Sequence, residues 1–306
     1  MAQKLSVIIP TYNAAPYLPQ LITQLRSQTV PFELIIIDSS SNDGSKEFLQ
    51  KAADIFIEIP KESFDHGGTR TEALSYANGE YVLFCTQDAL AYSNDVLEEL
   101  INTLEQDNDI AVVYARQLPY EHSSLFGKHL RYFNYPKHSY IRSLDDKERF
   151  GLKTAFLSNS CAMYRTVYLK EVGAFDPNLI VGEDAYAGAK LLLQGYKIAY
   201  NANAKVFHSH SYTLWQEFQR YFDIGVFHAT QAWLITTFGK AEGEGMRYIK
   251  SELNYLLEQK AYLHIPEFFI RNGLKLLGYK LGKNYKKLPK KLSYLFSMHK
   301  SWWNTI

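Results

Sequence analysis

Four acids and a pair of histidines carry the chemistry this chain could do. Asp88 follows the apolar run Tyr81-Val82-Leu83-Phe84-Cys85, with Thr86 and Gln87 between. A run of that length without Pro or Gly predicts a buried strand. Ligands of open α/β sheets bind at the carboxyl ends of strands. A carboxylate there can hold a divalent cation and, through it, a diphosphate. The same residue could instead cap a helix over about 93–106. Asp38 repeats the pattern at the end of Phe32-Glu33-Leu34-Ile35-Ile36-Ile37 and precedes the polar turn Ser39-Ser40-Ser41-Asn42-Asp43-Gly44. An acid so placed accepts hydrogen bonds from a ribose or base. It could also cap the helix predicted over 45–52, although Asp43 is better placed for that. Glu183 and Asp184 follow Gly182 and open a helix over about 185–194. The helix dipole favours acids there, but capping needs only one. The pair also suits a general base held in a cleft. His208 and His210 end an apolar run, and on a strand their side chains share one face, so both can approach one cation.

These residues need a scaffold that brings strand ends together. Strands are predicted at 5–10, 32–38, 55–60, 81–85, 110–115, 156–165, 196–200 and 204–210. Helices are predicted at 16–28, 45–52, 71–77, 95–106, about 124–133, 166–172, 185–194, 213–237 and 241–265. Strand–helix alternation in the first half implies a mostly parallel sheet covered by helices on both faces. Gly67 and Gly68, just before the helix at 71, could let the backbone approach a ligand at a helix N-terminus, with Arg70 pairing a phosphate. A tight loop with a surface Arg is the other reading. The stretch 116–151, rich in Tyr and His, suits an acceptor-facing loop or a solvated connection.

Composition narrows the class. The 306 residues are 46% hydrophobic and 15% aromatic, enough for a sizeable core. Cys85 and Cys161 lie in apolar runs and are expected as buried thiols in a reducing compartment. No run approaches a spanning helix, and no signal peptide is expected at the N-terminus. The net charge of +1 hides an asymmetry: residues 265–306 hold nine Lys/Arg and one acid, a net +8, leaving −7 for 1–264. Lysines mixed with Leu, Phe, Tyr and Trp302-Trp303 suit a helix lying on an anionic membrane surface. A helical hairpin packed on the body, or an oligomer contact, would use the same residues. An acidic body offers no surface that tracks nucleic acid. A sugar nucleotidyltransferase would usually show a Gly-rich, Lys- or Arg-bearing loop after its first strand, and Pro10-Thr11-Tyr12-Asn13 has none.

Taken in order, Pro10-Thr11-Tyr12-Asn13, Asp38-Ser39-x-Ser41-x-Asp43-Gly44, His66-Gly67-Gly68-Thr69-Arg70, Thr86-Gln87-Asp88, Glu183-Asp184 and His208-Ser209-His210 resemble the inverting family 2 glycosyltransferases over residues 4–215. The strings around Gly67 and Asp88 look most like the rhamnosyltransferases of bacterial surface polysaccharides. The resemblance implies a GT-A fold over 1–240 with a helical extension at 241–306. It places Pro10, Thr11, Tyr12, Asp38, Ser40, Gly67, Arg70, Thr86 and Gln87 along the nucleotide sugar. It assigns Asp88, His208 and His210 to Mg²⁺ or Mn²⁺, and Asp184, beside Glu183, to the base. The donor it implies is dTDP-L-rhamnose, with a UDP-hexose or UDP-N-acetylhexosamine as the alternative. The acceptor is lipid-linked or an oligosaccharide, and the setting is the cytoplasmic face of the plasma membrane, with a homo-oligomer left open. One departure stands out: Thr86 replaces the first acid of the Asp-x-Asp signature.

Overall fold

The apolar runs of the first half become strands that are buried on both faces. Alternate side chains of β1 (Leu5–Thr11), β2 (Glu33–Asp38) and their neighbours enter two different cores. Ile8, Ile35, Ile37 and Phe84 pack on one side. Val7, Ile9, Leu34, Ile36 and Leu83 pack on the other. Coverage on both faces is why the sequence reads as continuous apolar runs rather than alternation. The computed structural model describes residues 4–239 and 243–304.

The remaining strands are β3 (Ile55–Glu58), β4 (Tyr81–Cys85), β5 (Leu90–Ala91), β6 (Ile110–Leu118), β7 (Tyr140–Arg142), β8 (Cys161–Arg165) and β9 (Lys197–Phe207). They form one sheet in the order β3-β2-β1-β4-β8-β6-β9-β5, with β7 also on β9. The sheet is mixed. β3, β2, β1 and β4 are parallel neighbours, as are β6 and β9. β8 is antiparallel to both β4 and β6, and β5 and β7 are antiparallel to β9. The expected parallel sheet therefore holds for the first half. It stops at β8, because the chain between β6 and β8 leaves and re-enters at the same sheet edge, and such a return is antiparallel.

Helices α1 (Leu18–Arg26), α2 (Ser45–Ala52), α3 (His66–Leu74) and α4 (Val96–Glu105) cover this half. In α1, Leu18, Leu21, Ile22 and Leu25 form the buried stripe that helical spacing predicts. α3 corrects an expectation. The glycines are not in a loop: Asp65 caps α3, accepting from the Gly68 N–H at 2.6 Å, and the helix begins at His66. A Cβ on Gly67 would collide with the Asp176 backbone, so this glycine serves helix-to-loop packing rather than a ligand.

The second half adds α5 (Leu125–Asn134), α6 (Lys147–Phe150), α7 (Thr166–Glu171), α8 (Glu183–Leu193), α9 (Leu214–Thr230), α10 (Ala232–Phe238), α11 (Glu244–Glu258), α12 (Ile265–Lys283) and α13 (Lys290–Phe296). The strands expected at 196–200 and 204–210 are one strand, β9, with an irregularity against Ala115/Arg116. His208 and His210 lie just beyond its end. The strand expected over 156–165 is confined to β8. The boundary drawn at 240/241 falls on residues 240–242, outside the described residues.

α9 and α12 run in the same direction, with Phe218 and Phe222 facing Gly278 and Gly282. Side chains at those glycines would strike the carbonyls of the facing helix, so their absence lets two backbones touch. The final segment is tied to α9. Gln219 donates to the Leu295 and Ser297 carbonyls, and the Met298 N–H donates to Asp223 at 2.8 Å. Trp303 is buried in the main core.

Candidate active site

At the sheet's carboxyl edge the chain goes from β1 outward to β2 and β3, then returns to β4 on the other side of β1. This reversal opens a crevice. Its first wall is stitched together by polar side chains. Asp38 is fully buried and accepts from Thr11 Oγ1 at 2.8 Å, Ser41 Oγ at 2.6 Å and the Ser41 N–H at 2.8 Å. A carboxylate has about four lone-pair sites, so Asp38 has room for about one more partner. Asn13 N–H donates to Ser41 Oγ and Ala15 N–H to Asp43, which ties the β1–α1 loop to the β2–α2 loop. Pro10 lies inside β1 beside Ile37. Ser40 is exposed with φ of 55° and donates to the Ile59 carbonyl.

Two assigned residues have other duties. Gln87 spends both amide groups on the Tyr12 backbone, accepting from its N–H at 2.8 Å and donating to its carbonyl at 3.0 Å. It sets the loop rather than facing the crevice. The Tyr12 hydroxyl accepts from Lys61 Nζ at 2.5 Å, and that ammonium also lies over the Tyr12 ring. Arg70 is neither a surface residue nor a free phosphate ligand. Its side chain is buried, donates to the His66 carbonyl at 2.7 Å and pairs with Glu183 at 3.3 Å. Its position in the second turn of α3, rather than ahead of the helix, turns it inward.

The second corner is built by β4, β6 and β9. His208 Nε2 lies 3.5 Å from one Asp88 oxygen, and His210 Nε2 lies 3.9 Å from the other. The candidate ligand atoms of all three lie within 4.8 Å of one another. The other ring nitrogen of His208, Nδ1, meets Gln117 Oε1 at 2.9 Å, and Arg131 donates to that same oxygen at 2.6 Å. Because the oxygen can only accept, Nδ1 carries the proton and Nε2 offers a lone pair, as a metal-binding imidazole requires. Burial lowers the pKa of His208, and burial with the neighbouring His208 lowers His210 to about 4, so both rings are neutral at pH 7. Burial alone would raise Asp88, but the hydrogen bond and charge that the two histidines supply when protonated, with the Thr86 hydroxyl, outweigh it and lower its pKa. Thr86 Oγ1 is buried beside this corner and favours the charged form of Asp88. Two neutral imidazoles and one carboxylate, with a buried hydroxyl beside them, fit a divalent cation whose remaining positions a diphosphate would fill.

The third corner is the start of α8. Gly182 takes a left-handed φ of 79° and turns the chain so that Glu183 points inward. Asp184 stays partly exposed while protein surrounds it. It accepts from the Asn159 N–H at 3.2 Å and the Ala185 N–H at 2.8 Å. Burial, then the charge of Glu183, pushes its pKa up to about 7. Burial acts on Glu183 as well, but Arg70 and then His66 outweigh it and keep that carboxyl ionised. Two adjacent acids with pKa values pushed apart are what acid–base chemistry uses.

Sequence reasoning passed over Arg220 on α9. Its side chain is solvent-reachable, lies 5.7 Å from the Tyr212 ring centre and makes no ion pair among the described residues. Its charge is felt by Asp184, His66, His208 and His210 alike. A cation in an otherwise aromatic helix was the available signal. Gln117 and Arg131 were hidden differently, since an orienting role shows only in three dimensions.

A crevice that can grip a diphosphate, facing a base able to deprotonate a hydroxyl, is the equipment of glycosyl transfer, and the fold is GT-A. The chain belongs to glycosyl transferase family 2, which it matches over residues 6–173. It is 42% identical over 306 residues to the O-antigen chain rhamnosyltransferase RfbN of Salmonella typhimurium, covering 99% of this chain and 97% of that one. It is also 42% identical to the O-antigen chain rhamnosyltransferase WbaN of Salmonella anatum, over 98% and 96% of the two chains. Among solved structures it resembles the mannosyltransferase PcManGT of Pyrobaculum calidifontis in complex with GDP-Man and Mn²⁺, with a TM-score of 0.65 at 16% identity over 94% and 89% of the chains. Staphylococcus aureus TarS with UDP-GlcNAc gives a TM-score of 0.55 at 18% identity over 93% and 92%.

Proposed function

We propose that this glycosyltransferase moves L-rhamnose from dTDP-L-rhamnose, with inversion, onto a lipid-linked or polysaccharide acceptor of a bacterial surface glycan. The observation that carries the sugar is the 42% identity, over nearly the whole of both chains, to two O-antigen chain rhamnosyltransferases. Asp184 takes the proton of the acceptor hydroxyl. The acceptor oxygen forms its bond to the anomeric carbon as the bond from that carbon to the diphosphate breaks, and the nucleoside diphosphate leaves with the electron pair. Arg220 faces the leaving diphosphate, the role first expected of Arg70. Asp88, His208 and His210 would hold Mn²⁺ or Mg²⁺, which when bound neutralises charge on the diphosphate. With two imidazoles in the set, Mn²⁺ is the better match. Glu183 and Arg70 set the ionisation of Asp184 from behind. Thr11, Asp38 and Ser40 line the nucleoside side.

The test is thermal stabilisation and transfer with dTDP-L-rhamnose, UDP-sugars and GDP-mannose, each with Mn²⁺, Mg²⁺ or EDTA. A ligand at 100 times its Kd adds about 2.7 kcal/mol. A metal-dependent preference for dTDP supports rhamnose, whereas a UDP preference keeps the mechanism and removes that sugar.

A second part of the reading concerns residues 241–306, proposed as an extension that attaches to the membrane. α12 is amphipathic the wrong way round for water. Its body-facing stripe holds Arg271 and Lys275, paired with Glu217 and Glu252. Its outer stripe holds Phe269, Ile270, Leu276 and Leu277, continuing from Leu263, which is 94% exposed. Lys280, Lys283, Lys286 and Lys287 follow. An apolar row bordered by lysines matches an anionic bilayer surface. Among the described residues no helix is long and apolar enough to cross a membrane. Flotation with anionic but not zwitterionic vesicles is the expected result. Failure to float, with dimers in solution, would give that face to a second copy instead.

A further inference from the structure

The groove between α5 and α11 plays no part in the mechanism above. α5 works on two faces. Gly127 lies against the His210 carbonyl with no room for a side chain, and Arg131, one turn later, orients Gln117 and through it His208. His129, Tyr132 and Phe133, at i, i+3 and i+4, share another face. With Lys250, Asn254 and Tyr255 of α11 they line a cavity of about 480 Å³, within the size range of small-ligand sites, ~300–1,000 Å³.

Its lining suits a saccharide. Tyr132 is 48% exposed, and its ring meets that of Tyr255 edge-on at 6.0 Å, so the groove offers aromatic faces to the apolar side of a sugar ring. Asn254 and Lys250 are exposed and supply hydrogen-bonding groups for hydroxyls. At the floor, His129 is 2% exposed and already committed, with Nε2 at 2.9 Å from Ser251 Oγ and Nδ1 at 3.8 Å from the buried Glu252 carboxylate, so it fixes the floor while the rim offers the binding groups. A phosphate fits less well. Arg247 is already paired with Glu244 at 2.6 Å and lies over Phe133, and Glu258 adds a carboxylate to the rim. The groove is separated from the histidine corner by one helix, ~10 Å across.

We propose that this groove is a second glycan-binding site, holding a distal part of an oligosaccharide acceptor while its reacting hydroxyl lies at Asp184. The proposal rests on the acceptor being a saccharide, as argued above. The test is calorimetric titration of the full chain with rhamnose-containing oligosaccharides of one, three and six sugars, with dTDP plus Mn²⁺ titrated in parallel. The longest should bind on the order of tenfold tighter than the monosaccharide. Tyr132→Ala combined with Asn254→Ala should remove that gain and raise the acceptor KM, leaving kcat and dTDP affinity unchanged. Tyr132→Trp, which keeps an aromatic face, should retain it. Both altered residues are exposed, so folding should hold, and melting would verify it. A length dependence that survives the double variant, or none in the unaltered chain with dTDP still bound, overturns the groove alone. Loss of both dTDP and saccharide binding in the unaltered chain overturns the transferase reading with it.

Discussion

Asp88 and Asp184 are the same residue in the same cleft, and their surroundings push them in opposite directions. Asp88 sits beside two histidines that favour its charge when they are protonated, and its pKa falls. Asp184 sits among buried protein beside an ionised Glu183, and its pKa rises to about 7. Burial acts upward on both, so burial does not distinguish them. The neighbours do: two histidines delivered by the end of β9 in one case, a carboxylate one residue away in the other. One carboxylate is thereby made a permanent anion and the other a proton acceptor at neutral pH.

The sharpest way to break this contrast is to remove one charge at a time. Asp184→Asn should lower kcat by about 10²–10⁴-fold and leave Mn²⁺-dependent dTDP affinity intact by calorimetry. A parallel loss of nucleotide affinity would merge the two corners into one. Asp88→Asn should do the reverse, weakening Mn²⁺-dependent dTDP binding by at least about 100-fold, since even groups behind the ligands are worth about 10–100-fold. Gln117→Leu tests those groups directly. It frees the tautomer of His208 and should cost about 10–100-fold in Mn²⁺ affinity, read by titration of the metal alone.

Smaller effects concern pH. kcat should rise through a midpoint near 7 as Asp184 ionises. Glu183→Gln removes the like charge and should move that midpoint down, measurable as a shifted acid limb. Stability carries the opposite sign. The folded chain keeps the Asp184 proton up to about pH 7, whereas the unfolded chain releases it near 3.8. Stability therefore falls as pH rises through that window. Asp184→Asn should reduce the fall between pH 5 and pH 8 in urea titrations. It should not abolish it, because buried Asp223 is raised to about 7 as well.

Legibility differed between the two corners. Asp88, His208 and His210 could be read because strand ends are marked by where apolar runs stop, and the sheet then gathers them. β9 ends one residue before His208, yet the two rings still converge on Asp88. Glu183 and Asp184 could be read as a pair, but not the split in their pKa values, which depends on Arg70 arriving from α3. Arg70 and Gly67 were misplaced for one reason: a Gly-Gly pair lowers helix propensity, and the close approach of Asp176 that demands Gly67 lies over a hundred residues away. Gln87 looked like a ligand contact because nothing local shows that the Tyr12 backbone claims its amide. The outward apolar stripe of α12 was legible as composition. That its inner stripe carries the charges was not.

The link between Met298 and Asp223 spans 75 positions of sequence. Arg220 stands on the same helix, one turn before Asp223. At about 5–20 residues per second, a ribosome makes the clamp on this helix about 4–15 s after the helix itself. During those seconds α9 lacks the segment that bonds Gln219 and Asp223, and for most of them it lacks a finished α12 as well. The polar wall stitched from residues 11–87 is made early, whereas the corner that His208 and His210 complete, and Arg220 beside it, come more than a hundred residues later. A nascent chain should therefore have the first wall of its crevice before it has the groups that would grip a diphosphate.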